Sequence, residues 1–249
     1  MSRPLAVELR DVRVAFGGQA ALDSVTLDVP PGQRVALVGP SGAGKTTLLR
    51  LCTGGLTADA GTVRVLGTNL ATASDREVQA VRRRIGSVHQ QLDLVGPLRV
   101  VHNVNAGRLG QWRTCRALRS LVRPVEVGTA RQALDRMGIA AKLLERTDRL
   151  SGGEQQRVAL ARVLVADPDL ILADEPVSSL DPARADDVMD LLAGVAGAKT
   201  LVVSLHDFDL ARRRCDRIVG LRDGRVVFDL DAGAATDDVR TSLYRIQTG

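Results

Sequence analysis

The sequence predicts an α/β protein with a mainly parallel sheet, and three features carry that expectation. The run R-V-A-L-V at 34–38 reads as a buried strand, and it is followed by a glycine-rich loop and a helix from about Lys45 to Cys52. Later strand signals at 169–173, 200–204 and 217–221 are separated by helical stretches, the pattern of parallel strands joined by crossover helices. Between these two regions, from about Pro97 to Ala166, the apolar periodicity is helical, with breaks at Gly110, Pro124 and Gly138. A subdomain of about 92–165 inserted into one 1–249 unit, whose core is 1–91 and 166–249, is the expected organisation. Residues 5–15, 25–29, 85–88 and 225–229 complete the expected strands, with Val7, Leu9, Val12 and Val14 supplying part of a core-facing pattern. Ser74 and Glu77 have the spacing of a capping box, which starts a short arginine-rich helix.

Bulk properties exclude several classes. A chain of 249 residues with 45% hydrophobic and 25% charged residues has the composition of a globular protein with a substantial core. No apolar run approaches the roughly 18 residues that a membrane span needs. The N-terminus lacks the apolar segment of a signal peptide, so a cytoplasmic location is expected unless a partner places the chain elsewhere. Cys52, Cys115 and Cys215 are odd in number and lie far from any second ligand at metal spacing, which predicts reduced, packed thiols. The net charge of +5 is carried almost wholly by arginine. It suits nucleic acid, anionic lipid or simply solvated arginine faces, and does not choose among them.

The chemistry begins at the glycine loop. Gly39, Pro40, Ser41, Gly42, Ala43, Gly44, Lys45 and Thr46 match G-x-x-x-x-G-K-[ST] in full, between a buried strand and a helix, with Thr47 next in line. Backbone N–H groups of such a loop cradle phosphate oxygens, and the helix N-terminus adds partial positive charge. Lys45 suits the β- and γ-phosphates, and the Thr46 hydroxyl suits Mg²⁺. The apolar run Leu170 to Ala173 ends in Asp174 and Glu175. Acids at the carboxyl end of a buried parallel strand face the ligand crevice of α/β folds. Asp174 is therefore the candidate Mg²⁺ ligand, and Glu175 the candidate general base for an attacking water.

A second glycine loop, L-S-G-G-E-Q-Q-R at 150–157, opens a helix without a lysine of its own. Here the sequence resembles the ATPase subunits of ABC transporters over nearly its whole length. Ser151, Gly152, Gly153 and Glu154 resemble that family's signature motif. The resemblance gives further residues roles. Phe16 lies where an aromatic ring stacks on adenine, and Gln90 is similar to the glutamine that senses Mg²⁺ and the γ-phosphate. Ser178, Ser179, Leu180 and Asp181 resemble the loop coupling paired sites, and His206 the histidine that contacts the γ-phosphate. It also implies a P-loop NTPase fold with a RecA-like core and an antiparallel N-terminal β part. Two subunits are expected to pack head to tail, each phosphate loop facing the partner's Ser151–Gly153. Ser151 and Glu154 are also at capping-box spacing, but a simple cap does not require two consecutive glycines, which carry an entropic cost.

A single ATPase unit without a span looks like an importer subunit docked on a separate permease, at the cytoplasmic face of the membrane and served indirectly by a solute-binding protein. Residues 90–114, including N-V-N-A-G-R-L-G and Trp112, resemble the corresponding segment of phosphonate importer ATPases, as does S-L-Y-R at 242–245. Other cargoes, such as phosphate, amino acids or metals, are the alternative, and a nucleic-acid-associated ABC ATPase is the runner-up class, with nucleic acid not expected as a partner. His89 and Asn105 depart from the usual residue types. Arg108, Arg113, Arg116, Arg119 and Arg123 suit lipid headgroups, permease loops or a solvated helical face.

Overall fold

The computed structural model describes residues 4–89, 91–178 and 180–244. A hairpin of β1 (Val7–Phe16) and β2 (Gln19–Val29) precedes β3 (Arg34–Val38), whose loop leads into α1 (Lys45–Cys52). Then come β4 (Ala60–Val65), β5 (Thr68–Asn69), α2 (Asp75–Arg82) and β6 (Ile85–His89). The helical stretch holds α3 (Val100–Asn105), α4 (Thr114–Val122), α5 (Val127–Arg136) and α6 (Gly152–Ala166), with 3-10 turns at Ala106–Gln111, Ala140–Lys142 and Thr147–Arg149. After it come β7 (Leu170–Asp174), α7 (Pro182–Ala196), β8 (Thr200–Leu205), α8 (Phe208–Arg214), β9 (Arg217–Arg222), β10 (Arg225–Asp231) and α9 (Asp237–Tyr244).

Two sheets result. One is antiparallel in the order β2-β1-β4-β5, and the other has the order β10-β9-β3-β8-β7-β6. In the second, only the β9–β10 pair is antiparallel. Burial follows from these pairings. All six residues of β8 are buried, as expected of a parallel strand covered on both faces, whereas β1 alternates. Successive β3 residues feed opposite layers. Val35 and Leu37 join the cluster with β1, β2 and α1, while Ala36 and Val38 join the cluster with α6, α7 and α8.

Some elements differ from expectation. β2 starts at Gln19, because the glycine turn at Gly17–Gly18 carries pairing with β1 up to Phe16–Gln19. The β4–β5 hairpin was not expected; only Val63 and Val65 of β4 are buried, too short an alternation to stand out. Residues 139–150 have helix-like apolar spacing yet form 3-10 turns. Gly138, at φ 71, ends α5, and the chain then pairs with the start of α3 through Val100 N–H to Glu145 O and Thr147 N–H to Leu98 O, each 2.9 Å. Ile139, Leu143 and Leu150 still enter the core.

Three departures concern side chains singled out in the sequence. Cys52 and Cys215 are buried, and burial pushes both thiols up to about 12, but Cys115 is exposed; all three are free. Two of the five candidate arginines are engaged by partners within the helical part. Arg108 donates to Val165 O (3.0 Å) and pairs with Glu126 (2.7 Å), while Arg116 pairs with the same carboxylate and lies 5.0 Å over the Trp112 ring. Asn105 is buried and donates to the Val125 carbonyl, and its Oδ1 has no partner among the described residues.

The 3-10 turn after α3 presses its backbone onto α6. A Cβ at Gly107 would lie 2.2 Å from the Arg162 carbonyl oxygen, whereas one at Gly128 in α5 would meet nothing within 4 Å. Gly107→Ala is therefore expected to cost about 1–3 kcal/mol as an overpacked contact, read as a lower urea midpoint. Gly128→Ala is expected to raise stability by about 0.4–1 kcal/mol in the same measurement.

Candidate functional site

Strand register assembles the site. Residues paired across the parallel strands are Val38 with Leu205, Asp174 with Ser204, and His89 with Asp174. The carboxyl ends of β3, β8, β7 and β6 therefore finish level, and the residues just beyond them share one edge of the sheet. That edge is where open α/β sheets bind ligands.

The glycine loop leaves this edge from β3. Gly44 has φ 102, and a Cβ there would sit 2.6 Å from the Ala21 carbonyl oxygen, so the loop is held against β2 with room for glycine alone. Lys45 begins α1, which has no side-chain cap and no acid in its first turn, leaving its N-terminal N–H groups and partial positive charge toward the loop. The Lys45 side chain is buried, and its Nζ donates to the carbonyls of Gly39 (2.8 Å) and Pro40 (3.1 Å). Burial lowers its pKa, against the opposing pull of the Glu175 and Asp174 carboxylates. The β1–β2 hairpin that flanks the loop ends at Phe16, whose ring is 52% exposed.

The acidic pair is held by a residue that sequence reasoning missed. Ser204, fully buried in β8, donates from Oγ to Asp174 Oδ1 (2.7 Å) and accepts from the Glu175 N–H (2.8 Å). The other contact of Asp174 Oδ1 is the Thr46 hydroxyl at 3.1 Å, which joins the first turn of α1 to β7. Glu175 has φ 48, a left-handed backbone unusual for a side chain with a Cβ. Its Oε1 lies 2.6 Å from Nε2 of His206, the residue between β8 and the Asp207 cap of α8. The detectable sequence signal for Ser204 is a serine within the otherwise apolar run from Leu201 to Leu205, two residues before the histidine.

Thr46 and Asp174 offer a hydroxyl and a carboxylate side by side, hard oxygen donors of the kind Mg²⁺ accepts when substrate phosphates and waters complete its shell. Among the described residues no group of three or more His, Cys, Asp or Glu is placed to hold a metal. The donor set therefore fits a phosphate-dependent Mg²⁺ and not an all-protein cage. Gln90 lies outside the described residues. The stretch just after it is anchored by Arg162 of α6, which donates to Leu92 O (2.9 Å) and Asp93 O (2.8 Å).

The second glycine loop stands apart. Ser151 and Glu154 form the capping box, with Glu154 N–H to Ser151 Oγ at 3.3 Å and Ser151 N–H to Glu154 Oε2 at 2.9 Å. Gly152 and Gly153 are exposed, and a Cβ on either would meet nothing within 4 Å among the described residues. Ser151 to Glu154 line a groove of about 610 Å³ together with Leu180 and Arg184, and no residue of the phosphate loop lines it. Gln156, buried in α6, donates to the Pro176 carbonyl (2.6 Å) and ties this helix to the loop after Glu175. In that loop Ser178 Oγ donates to Glu175 O at 3.2 Å, and Asp181 caps α7 through the Arg184 N–H at 3.1 Å. Ser179 lies outside the described residues.

A full phosphate-loop sequence at the carboxyl edge of a mainly parallel sheet, with a level acid pair two strands away, defines a P-loop nucleoside-triphosphate-binding fold. Comparisons with known proteins narrow this class. Residues 22–178 match the family described as ABC transporter. The phosphonates import ATP-binding protein PhnC of Anaeromyxobacter dehalogenans is 50% identical over 98% of this chain, which spans about half (49%) of that relative's length. A phosphonates import ATP-binding protein PhnC 1 of Pseudomonas syringae pv. syringae is 45% identical over 96% of this chain and 89% of its own. Among solved structures, a dimeric post-hydrolysis ATP-binding cassette bound to ADP and Pi superposes with a TM-score of 0.75 at 31% identity, covering 91% of this chain and 98% of that one. The cbiO1 protein of Clostridium perfringens, part of an ABC transporter complex, superposes with a TM-score of 0.79 at 25% identity over 97% and 96% of the two chains. The chain belongs to the ABC transporter family.

Ser204 connects both acids to the neighbouring strand, so its removal is expected to be felt in the fold itself. Ser204→Ala deletes one donor and one acceptor in a dry sheet and should cost about 1–3 kcal/mol. A urea midpoint equal to that of the wild type would show that Ser204 does not brace the acid pair.

Proposed function

We propose that this chain is the ATP-hydrolysing subunit of an ABC importer, driving uptake of a phosphonate or related anionic phosphorus compound through a separate permease. The observation that carries the ATPase reading is the convergence of Lys45, Thr46, Asp174, Glu175 and His206 on one sheet edge, fixed by strand register. The cargo reading rests on the phosphonate import relatives. Among the described residues no helix is long and apolar enough to cross a membrane, so transport requires a membrane partner. A location at the cytoplasmic face of the membrane, and an indirect link to a solute-binding protein, go with this reading.

In this mechanism the backbone N–H groups from Gly39 to Thr47 and the Lys45 ammonium bind the triphosphate, and Phe16 stacks on adenine. Thr46 and Asp174, joined by Gln90, would hold Mg²⁺, which when bound neutralises charge on the β- and γ-oxygens. Glu175 Oε1 accepts a proton from the attacking water, and the His206 imidazole steers that carboxylate and contacts the γ-phosphate. Ser204 keeps the Asp174 and Glu175 backbones in register, so the two acids do different work side by side. The phosphoryl chemistry itself depends on positioning and electrostatics.

The second half of the proposal is a dimer. Among the described residues nothing in the packing requires glycine at 152 and 153, and their exposed backbone opens on a groove that no phosphate-loop residue lines. Close approach of a partner's γ-phosphate accounts for both features, with Ser151 to Glu154 completing the partner's site and Ser178 to Asp181 coupling the two. The dimeric cassette with ADP and Pi supports this arrangement. Within each subunit, the core at 1–91 and 166–249 binds nucleotide, and the helical part at about 92–165 meets the permease.

Two experiments test these assignments. Glu175→Gln is expected to retain ATP binding, lose about 10²–10⁴-fold in turnover, and accumulate as a nucleotide-bound dimer in size exclusion. Turnover close to that of the wild type would remove Glu175 as the base. Mixing Lys45→Ala with Ser151→Arg subunits should restore ATP-dependent dimer formation through one intact composite site. Normal ATP hydrolysis by Ser151→Arg subunits that stay monomeric would exclude the paired-site arrangement.

A further inference from the structure

The C-terminal helix α9 ends at Tyr244, a residue within the S-L-Y-R segment that the mechanism above leaves unused. Its hydroxyl donates to the main-chain carbonyl of His206 at 3.2 Å. His206 carries the imidazole that meets Glu175, and it is the single residue between the end of β8 at Leu205 and the Asp207 cap of α8. The phenol thus ties α9 to the mouth of β8, whose end pairs with that of β3 as Leu205 with Val38.

We propose that Tyr244 is a positioning residue for ATP hydrolysis, whose hydroxyl clamps the His206 backbone to helix α9 and so fixes the imidazole at Glu175. The inference rests on the ATPase reading given above. The hydroxyl, and not the ring, is the working part. Helix α9 is already docked by other contacts, namely Leu243, which is 1% exposed, the Arg222 donation to Ser242 O (2.9 Å) and the Arg240–Asp209 pair (3.2 Å). The Tyr244 residue itself is 37% exposed, so it contributes little to filling the core.

The test compares the full-length wild type with Tyr244→Phe, His206→Ala and the double variant, by steady-state ATPase kinetics and thermal melting. Tyr244→Phe keeps the ring and loses the bridge. The expected result is a drop in kcat of about fivefold, the rate equivalent of one net hydrogen bond. KM for ATP and the melting temperature should stay at wild-type values. In the His206→Ala background the same change should have no further effect, because the clamp acts only through that imidazole. An unchanged kcat in Tyr244→Phe overturns the clamp while leaving the ATPase reading intact. So does an equal loss with and without His206, or a loss accompanied by a lower melting temperature and a raised KM, since each marks a merely structural tyrosine. A wild type that hydrolyses no ATP overturns both readings together.

Discussion

The site depends on one constraint, the level register of β3, β8, β7 and β6. Parallel strands have a side-chain period of two, so a slip of one residue in β7 against β8 would send Asp174 to the opposite face and part it from Ser204. The register is fixed by burial on both faces, since Val35 and Leu37 serve one layer and Ala36 and Val38 the other. Once the strands are set, the loops leaving them place a lysine, a threonine, two carboxylates and an imidazole on one edge of the sheet, with Ser204 bracing the acid pair.

Much of this was legible because it follows strong local patterns. The loop from Gly39 to Thr46 has one sequence signature and one structural context, and β3 and α1 occupy the expected residues. Both capping boxes, at Ser74 and Ser151, form as their spacing predicts. Less was legible where long-range pairing decides the outcome. The β4–β5 hairpin exists because β1 offers an edge, and residues 139–150 give up helix geometry because their backbone pairs with the start of α3. Local apolar spacing carries neither fact.

Side chains that act through others were the least legible of all. Ser204, Gln156 and Arg162 each carry polar groups into the interior and satisfy backbone or carboxylate partners distant in sequence. In a one-dimensional reading they are ordinary polar residues near recognisable motifs. Burial converts them into fixed braces, because an unpaired polar group in a dry interior costs more than the bond returns. The arginines at 108 and 116 make the same point in reverse. As a row of charges they look alike, yet these two share the Glu126 carboxylate.

The two glycine loops differ in what justifies them. At Gly44 the chain itself supplies the reason, since β2 leaves no room for a Cβ. At Gly152 and Gly153 it supplies none: the residues are helical, exposed and uncrowded among the described residues, and alanine would serve the helix better by roughly 0.5–1 kcal/mol each. A sequence that keeps the costlier residue twice, on a helix already stabilised by its own capping box, is shaped by something outside the chain. The incoming group must approach the backbone closely and favour the positive end of a helix, which describes an anion. In the reading proposed above the phosphate loop holds such an anion, and it lines no part of the groove at Ser151. A second copy, turned head to tail as proposed, would satisfy both at once.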